Sequence, residues 1–159
     1  MMPEIRSPRV SLANLLSEFR LLDAKERWIL LQAAWLLPLR TLQLRAFGLN
    51  SFRTRPTAQV QAGSLSDSST EIASARRTQW LLSVAANRGI CRGSCLSRSL
   101  VLRDLLDRQN ICCQIRIGVR HPGAAFEAHA WVEVEGVVVN DTPETVSAYA
   151  PIHSLYQER

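Results

Sequence analysis

Apolar residues recur at Leu12, Leu15, Leu16, Phe19 and Leu22, and this three-and-four spacing predicts a helix near the front of the chain. Residues 11–47 read as helical throughout. Asp23, with Glu26 three positions on, has the form of a capping box that starts a second helix running to Leu37. Pro38 is expected to kink or end it. Trp28, Leu31 and Trp35 form one stripe on that helix, which predicts a face turned to the core or to a docking partner, with binding at a membrane surface as the alternative. The periodicity fails from 48 to 70. Gly48, Asn50, Ser51, Pro56, Gly63 and five further serines between 64 and 74 predict a long loop or linker. Helical spacing resumes over 71–88, at Ile72, Ala75, Trp80, Leu81 and Val84, with Gly89 as the residue past its end. Cys91-Arg92-Gly93-Ser94 then reads as a turn. Ser94 is a good N-cap for a helix from Cys95 to about Gln109, whose apolar positions are Leu96, Leu100, Leu102, Leu105 and Leu106.

The period changes to two after Asn110. Ile111, Cys113, Ile115, Ile117 and Val119 alternate with Cys112, Gln114, Arg116 and Gly118, the pattern of a half-buried strand. His121-Pro122-Gly123 marks a loop. A second strand places Ala128, Ala130, Val132 and Val134 on one face and Glu127, His129, Trp131, Glu133 and Glu135 on the other. Val137-Val138-Val139 is a third, joined to the second by a hairpin at Glu135-Gly136. Helices first and an antiparallel sheet afterwards make the fold class α+β. The expected organisation is a helical region and linker over 1–70 and a core over 71–159, together forming one compact unit.

Composition narrows the function classes. The chain has 159 residues and a net charge of +5, with nine Arg or Lys against four acids in the first 60 residues and three against six after residue 110. A basic front fits an acidic or peptide partner, and it equally fits an Arg-rich solvated surface. No helix-turn-helix, zinc or single-strand-binding pattern accompanies the charge, so no nucleic-acid partner is expected. The longest apolar stretch, Trp28–Leu39, is broken by Gln32 and Pro38 and falls short of the ~20 residues that span a bilayer. No stable membrane insertion is expected. The four cysteines, Cys91, Cys95, Cys112 and Cys113, lack zinc-knuckle spacing and a His at ligand spacing. The front of the chain has no signal-peptide pattern, and a reducing cytoplasm fits this cysteine usage.

Three residues carry candidate chemistry. Ser94 as N-cap puts Cys95 at the first helical position, where the helix dipole favours a thiolate and free backbone N–H groups can cradle an oxyanion. A small buried cysteine is the plain alternative for Cys95. His129 stands on the non-apolar face of its strand. Asp141 lies just past the hairpin, where its carboxylate can accept the Nδ1–H of His129 and leave Nε2 for the thiol. Structural roles, a solvated strand histidine and a strand-ending aspartate, are the alternatives there. Register poses a problem for the triad. A two-residue turn at Glu135-Gly136 pairs Val132 with Val139 and puts Asp141 on the face opposite to His129. A bulge, or a bend after Val139, is therefore expected to re-aim Asp141.

Taken together, Cys95-Leu96-Ser97-Arg98-Ser99-Leu100, Asn110-Ile111, Ile117-Gly118-Val119-Arg120, Ala128-His129-Ala130-Trp131-Val132-Glu133-Val134 and Val139-Asn140-Asp141 resemble the transglutaminase-like leader peptidases of lasso-peptide biosynthesis. The resemblance is strong over roughly 75–142. It implies a papain/transglutaminase-like core with the catalytic Cys at a helix N-terminus packed on an antiparallel sheet, and a Cys95-His129-Asp141 triad. It implies a cytoplasmic cysteine protease, without metal or organic cofactor, that removes the leader from a ribosomally made precursor peptide. The implied partners are that precursor, a separate leader-recognition protein of winged-helix type, and an ATP-dependent cyclase that closes the ring. Helical character before the core implies the stand-alone form of the peptidase. Arg98 matches the motif, and a structural ion pair is its default role. Acyl transfer to an amine, by a transglutaminase or amidase, would use the same residues, and a non-catalytic scaffold presenting the peptide is the remaining class.

Overall fold

The structure, a computed structural model, describes residues 22–48, 68–89, 91–121, 123 and 125–152. The predicted front helix before Leu22 and residues 49–67 of the serine-rich segment lie outside the described residues. Helices α1 (Ala24–Phe47), α2 (Ser68–Arg88) and α3 (Cys95–Asp107) precede a four-stranded sheet of β1 (Gln114–Arg120), β2 (Glu127–Val134), β3 (Val137–Val138) and β4 (Ala150–Pro151). A short α4 (Pro143–Ser147) lies between β3 and β4. The sheet order is β3-β2-β1-β4, with antiparallel neighbours throughout. The α+β reading and the three expected strands hold.

The capping box forms as the spacing predicts. Asp23 accepts the Ala24 N–H at 2.7 Å, and Glu26 accepts the Asp23 N–H at 3.2 Å. The other oxygen of Glu26 takes the Arg77 guanidinium of α2 at 2.7 Å, and that hydrogen bond holds the carboxyl below the usual carboxylate range. Of the two expected effects of Pro38, a kink or an end, the helix does not end there, for α1 runs nine residues further, to Phe47. Pro38 and Ala34, the residue whose carbonyl loses its helical partner, are both exposed, so that carbonyl is open to water. Contacts on both sides hold the helix. Ile29, Ala33 and Leu37 are buried before the proline. After it, Arg40 places Nε at 2.8 Å and Nη2 at 2.5 Å from one Asp104 oxygen on α3.

The Trp28-Leu31-Trp35 stripe is not a core face among the described residues. These side chains are 63%, 54% and 76% exposed. The buried line Ile29-Ala33-Leu37 lies one to two residues further on, so it occupies a different side of the same cylinder. That line joins Ala75, Leu81, Leu82 and Ala86 of α2, Val101, Leu102, Leu105 and Leu106 of α3, and Val132 and Val134 of β2 in one cluster. Gly89 closes α2 by donating to the Ala85 carbonyl at 2.7 Å, without the left-handed backbone expected of a C′ glycine. Asn110 has that geometry instead, at φ 58, ending α3. Its N–H donates to Asp107 and that of Ile111 to Leu106, both at 3.1 Å, and Ile111 is buried against the core.

The β2–β3 hairpin settles the register. Glu133 pairs with Val138 and Val134 with Val137 across a two-residue turn in which Glu135 (φ 50) and Gly136 (φ 78) both have positive φ. This is the backbone of a type I′ turn, whose twist matches that of the strands it joins. No bulge intervenes. The ladder breaks by a bend after Val139, which was the other expected device.

Candidate active site

The turn before α3 is built by close approach. Gly93 has φ +65, and a Cβ placed on it would lie 2.7 Å from the Ser97 hydroxyl and 2.9 Å from Leu37 Cδ1. Ser94 caps the helix, with its Oγ accepting the Ser97 N–H at 3.2 Å. Ser97 is fully buried and donates its hydroxyl back to the Ser94 carbonyl at 3.0 Å. Cys95 is therefore the first helical residue and is half-buried. The Gly93→Ala protein is expected to lose about 1–3 kcal/mol of stability, because alanine must adopt a left-handed backbone in a filled space. Urea denaturation of the variant measures it.

Cys113 makes the contrast. It is buried, and burial pushes its thiol up to about 12, so it stays protonated near neutral pH. This raised value contributes stability that is complete below the unfolded thiol value of about 9 and is lost as pH rises toward 12. In native protein Cys113 is expected to resist iodoacetamide at pH 8 while exposed Cys112 reacts; peptide mapping after labelling reads both sites.

His129 and Asp141 meet. Nε2 of the ring lies 2.5 Å from Asp141 Oδ2, and Asp141 Oδ1 accepts the Thr142 N–H at 2.8 Å. Both side chains are 20% exposed. The nitrogen is the reverse of the expected one. Asp141 comes from the bend outside the ladder and meets the outer ring nitrogen, Nε2, which leaves Nδ1 as the ring nitrogen that Asp141 does not hold.

The bend depends on Asn140. Val139 still donates to the Val132 carbonyl at 3.1 Å. In a regular pair Val132 would donate back to Val139, but its N–H goes to Asn140 Oδ1 at 2.7 Å. A side-chain amide thus takes the place of a backbone carbonyl, and the chain is free to turn. Asn140 Nδ2 donates to Ser99 Oγ at 3.2 Å, and Ser99 donates to the Ala130 carbonyl at 3.0 Å. Ser99 stands four residues after Cys95, on the same face of α3. α3 is thereby tied, four residues after Cys95, to the β2 residue next to His129. No hydrogen bond joins Cys95 to His129 among the described residues.

An aromatic wall surrounds the imidazole. The His129 ring centroid is 5.1 Å from that of Tyr149 and 6.3 Å from that of Trp131, with the Trp131 ring nearly parallel to it. Gly118, directly across from His129 in β1, leaves the room: a Cβ there would lie 2.8 Å from Tyr149 Cβ and 2.9 Å from the Trp131 ring. The Arg120 guanidinium lies over the Tyr149 ring, 4.7 Å from its centroid, and pairs with Glu127. Trp131 donates to Glu133 at 2.8 Å, which satisfies its N–H although the residue is buried. Arg98 makes no ion pair among the described residues, against the default expectation; its stem lies over Gly93.

Sequence reasoning missed Tyr149, Ser99 and Asn140 as parts of this site, and it missed α4. The α4 signal was present, in Thr142 as N-cap and Pro143 at the first turn. Tyr149 arrives only because α4 and β4 turn the chain back onto β1, and single-residue spacing carries no trace of that return.

A family model for the transglutaminase-like superfamily matches residues 28–154. The microcin J25-processing protein McjB of Escherichia coli is 40% identical over 62 residues, which cover 39% of this chain and 29% of that protein. The match therefore spans less than a third of the relative's length. No solved structure matches the chain.

Proposed function

Since the chain belongs to the transglutaminase-like superfamily, we propose that it is a cysteine peptidase that removes the leader from a lasso-peptide precursor. The observation that supports the reading is the pairing of His129 with Asp141 on a strand that is bonded at Ala130 to Ser99 of α3, the helix that begins at Cys95. The relative named for processing microcin J25, and the motif resemblance around Cys95 and His129, supply the substrate class.

The chemistry follows from those positions. Nδ1 of His129 takes the Cys95 proton, and the thiolate attacks the carbonyl of the last leader residue. Asp141 on Nε2 fixes the tautomer and stabilises the imidazolium. The first N–H groups of α3 have no intrahelical partner, and those of Cys95 and Leu96 are placed to receive the oxyanion. His129 then gives its proton to the leaving amine, which becomes the N-terminus of the core peptide, and water hydrolyses the thioester with release of the leader. A leader-recognition protein supplies affinity for the leader, and the ATP-dependent cyclase consumes the freed amine.

Mass spectrometry of precursor incubated with this protein and the recognition protein tests the proposal. The expected products are leader and core peptide with a new free amine. A product crosslinked to an amine, with loss of ammonia, would instead assign acyl transfer. Intact precursor bound to the protein would assign a scaffold.

A further inference from the structure

We infer that Asn140 and Ser99 act as positioning residues that set the distance between thiol and imidazole. The inference rests on the peptidase reading above. Three carriers converge on this one pair of side chains. Asn140 Oδ1 takes the Val132 N–H of β2 at 2.7 Å, and Nδ2 reaches Ser99 of α3 at 3.2 Å. Asp141 follows Asn140 directly in the chain. Ser99 closes the circuit on the carbonyl of Ala130, the residue after His129, at 3.0 Å.

Each polar role in the circuit is determined. Val132 presents a backbone N–H, so the Asn140 atom facing it is the amide oxygen and the one facing Ser99 is the NH2. Ser99 then accepts from Asn140 and has its one proton left for Ala130. Reversing the amide would set donor against donor at Val132 and leave two carbonyl oxygens competing for the single serine proton. The network is buried at Ser99 (0% exposed), Val132 (0%) and Ala130 (3%), so each broken bond leaves a desolvated group behind. The Ala130 carbonyl points to the edge of β2 that faces β3 at Val132 and Val134, because backbone groups of alternate residues face one side. β3 pairs no further along that edge, and α3 docks there through Ser99. Shortening of β3 by the Asn140 bend therefore does two things. It brings Asp141 to the outer nitrogen of His129, and it clears the edge for the helix that carries Cys95. These residues touch neither substrate nor the reacting atoms. They act through Cys95, His129 and Asp141, which makes them positioning residues.

The test compares Ser99→Ala, Asn140→Ala, the double variant and Asn140→Asp with the unaltered protein. Asn140→Asp keeps the acceptor that Val132 requires and turns the donor facing Ser99 into a charged acceptor that competes with Ala130 for the serine proton, so it breaks the circuit at Ser99 while keeping the bond to the hairpin that the alanine variant loses. Two readouts are taken well below each unfolding midpoint: kcat and KM for precursor cleavage, and the pH profile of Cys95 carbamidomethylation. The expected result is a fall of about 10- to 100-fold in kcat with KM within twofold, since an ångström of misplacement at the chemistry has this scale. The double variant is expected to lose no more than the worse single one, because the circuit works as a unit. The alkylation profile is expected to move toward that of His129→Ala. Folded variants with the unaltered kcat and the unaltered alkylation profile would overturn the positioning role. If the unaltered protein does not cleave precursor, the peptidase reading fails by itself, and the alkylation profile still decides whether the circuit sets the thiol–imidazole pair.

Discussion

Replacing Cys95 by alanine is expected to abolish leader cleavage, by a factor of at least about 10⁴ in kcat, while precursor binding stays within threefold. The asymmetry comes from the geometry. Removing one sulfur from the first position of α3 leaves the Ser94 cap, the buried Ser97 hydroxyl and the Arg40–Asp104 anchor untouched. The residue is half-buried and at a helix start, where alanine is well tolerated, so the variant folds. Titration of labelled precursor against the variant, beside a cleavage assay by mass spectrometry, separates binding from chemistry. Cleavage at the original rate by the Cys95→Ala protein would remove the nucleophile from the proposal, and no other cysteine stands at a helix start to replace it. Cys113 is sealed and its thiol is pushed up to about 12, Cys112 lies just before β1, and Cys91 lies in the turn ahead of α3.

The parts of this fold that are legible in the sequence are those governed by local rules. The Asp23–Glu26 capping box and the Ser94 cap each depend on residues within a few positions of one another and form as their spacing predicts, and the strands form too, although Trp131 on the polar side of the alternation is buried and Ala128 on its apolar side is exposed. Failures occur where a distant partner outweighs the local preference. Pro38 stays inside α1 because buried Leu37 and the Arg40–Asp104 pair, 64 residues apart in sequence, hold both sides of it. Gly89 ends α2 where the sequence predicts, but without the left-handed backbone of a C′ glycine, whereas Asn110, past the end of α3, takes that backbone and Ile111 beyond it enters the core. The candidate site shows the same division. Cys95, His129 and Asp141 are visible as residue types in order, and the need for a bend after Val139 follows from counting registers. The means of the bend does not follow from counting. It is a side-chain amide standing in for a backbone carbonyl, and its other end is bonded to a helix 41 residues away.

Asp141→Asn is expected to lower kcat by about 10²–10⁴-fold with little change in KM, and the reason lies in which nitrogen the carboxylate meets. Asp141 Oδ2 lies 2.5 Å from Nε2. A carboxylate only accepts, so it selects the ring form with hydrogen on Nε2 and a lone pair on Nδ1, the form able to take a thiol proton. An asparagine can turn its NH2 toward Nε2, and it then selects the other form, with hydrogen on Nδ1 and no lone pair there to take a proton. The imidazolium also loses its counter-charge. Shape is nearly conserved, and the carbonyl of the substituted amide can still accept the Thr142 N–H, so the α4 start survives. Stability should therefore change by less than about 1 kcal/mol while activity collapses. Two-dimensional NMR of the ring nitrogens distinguishes the tautomers directly: the unaltered protein should show Nε2 protonated in neutral ring, and the variant Nδ1. A variant that keeps its kcat, or an unaltered protein with its neutral-ring hydrogen on Nδ1, would mean that the carboxylate does not orient the base.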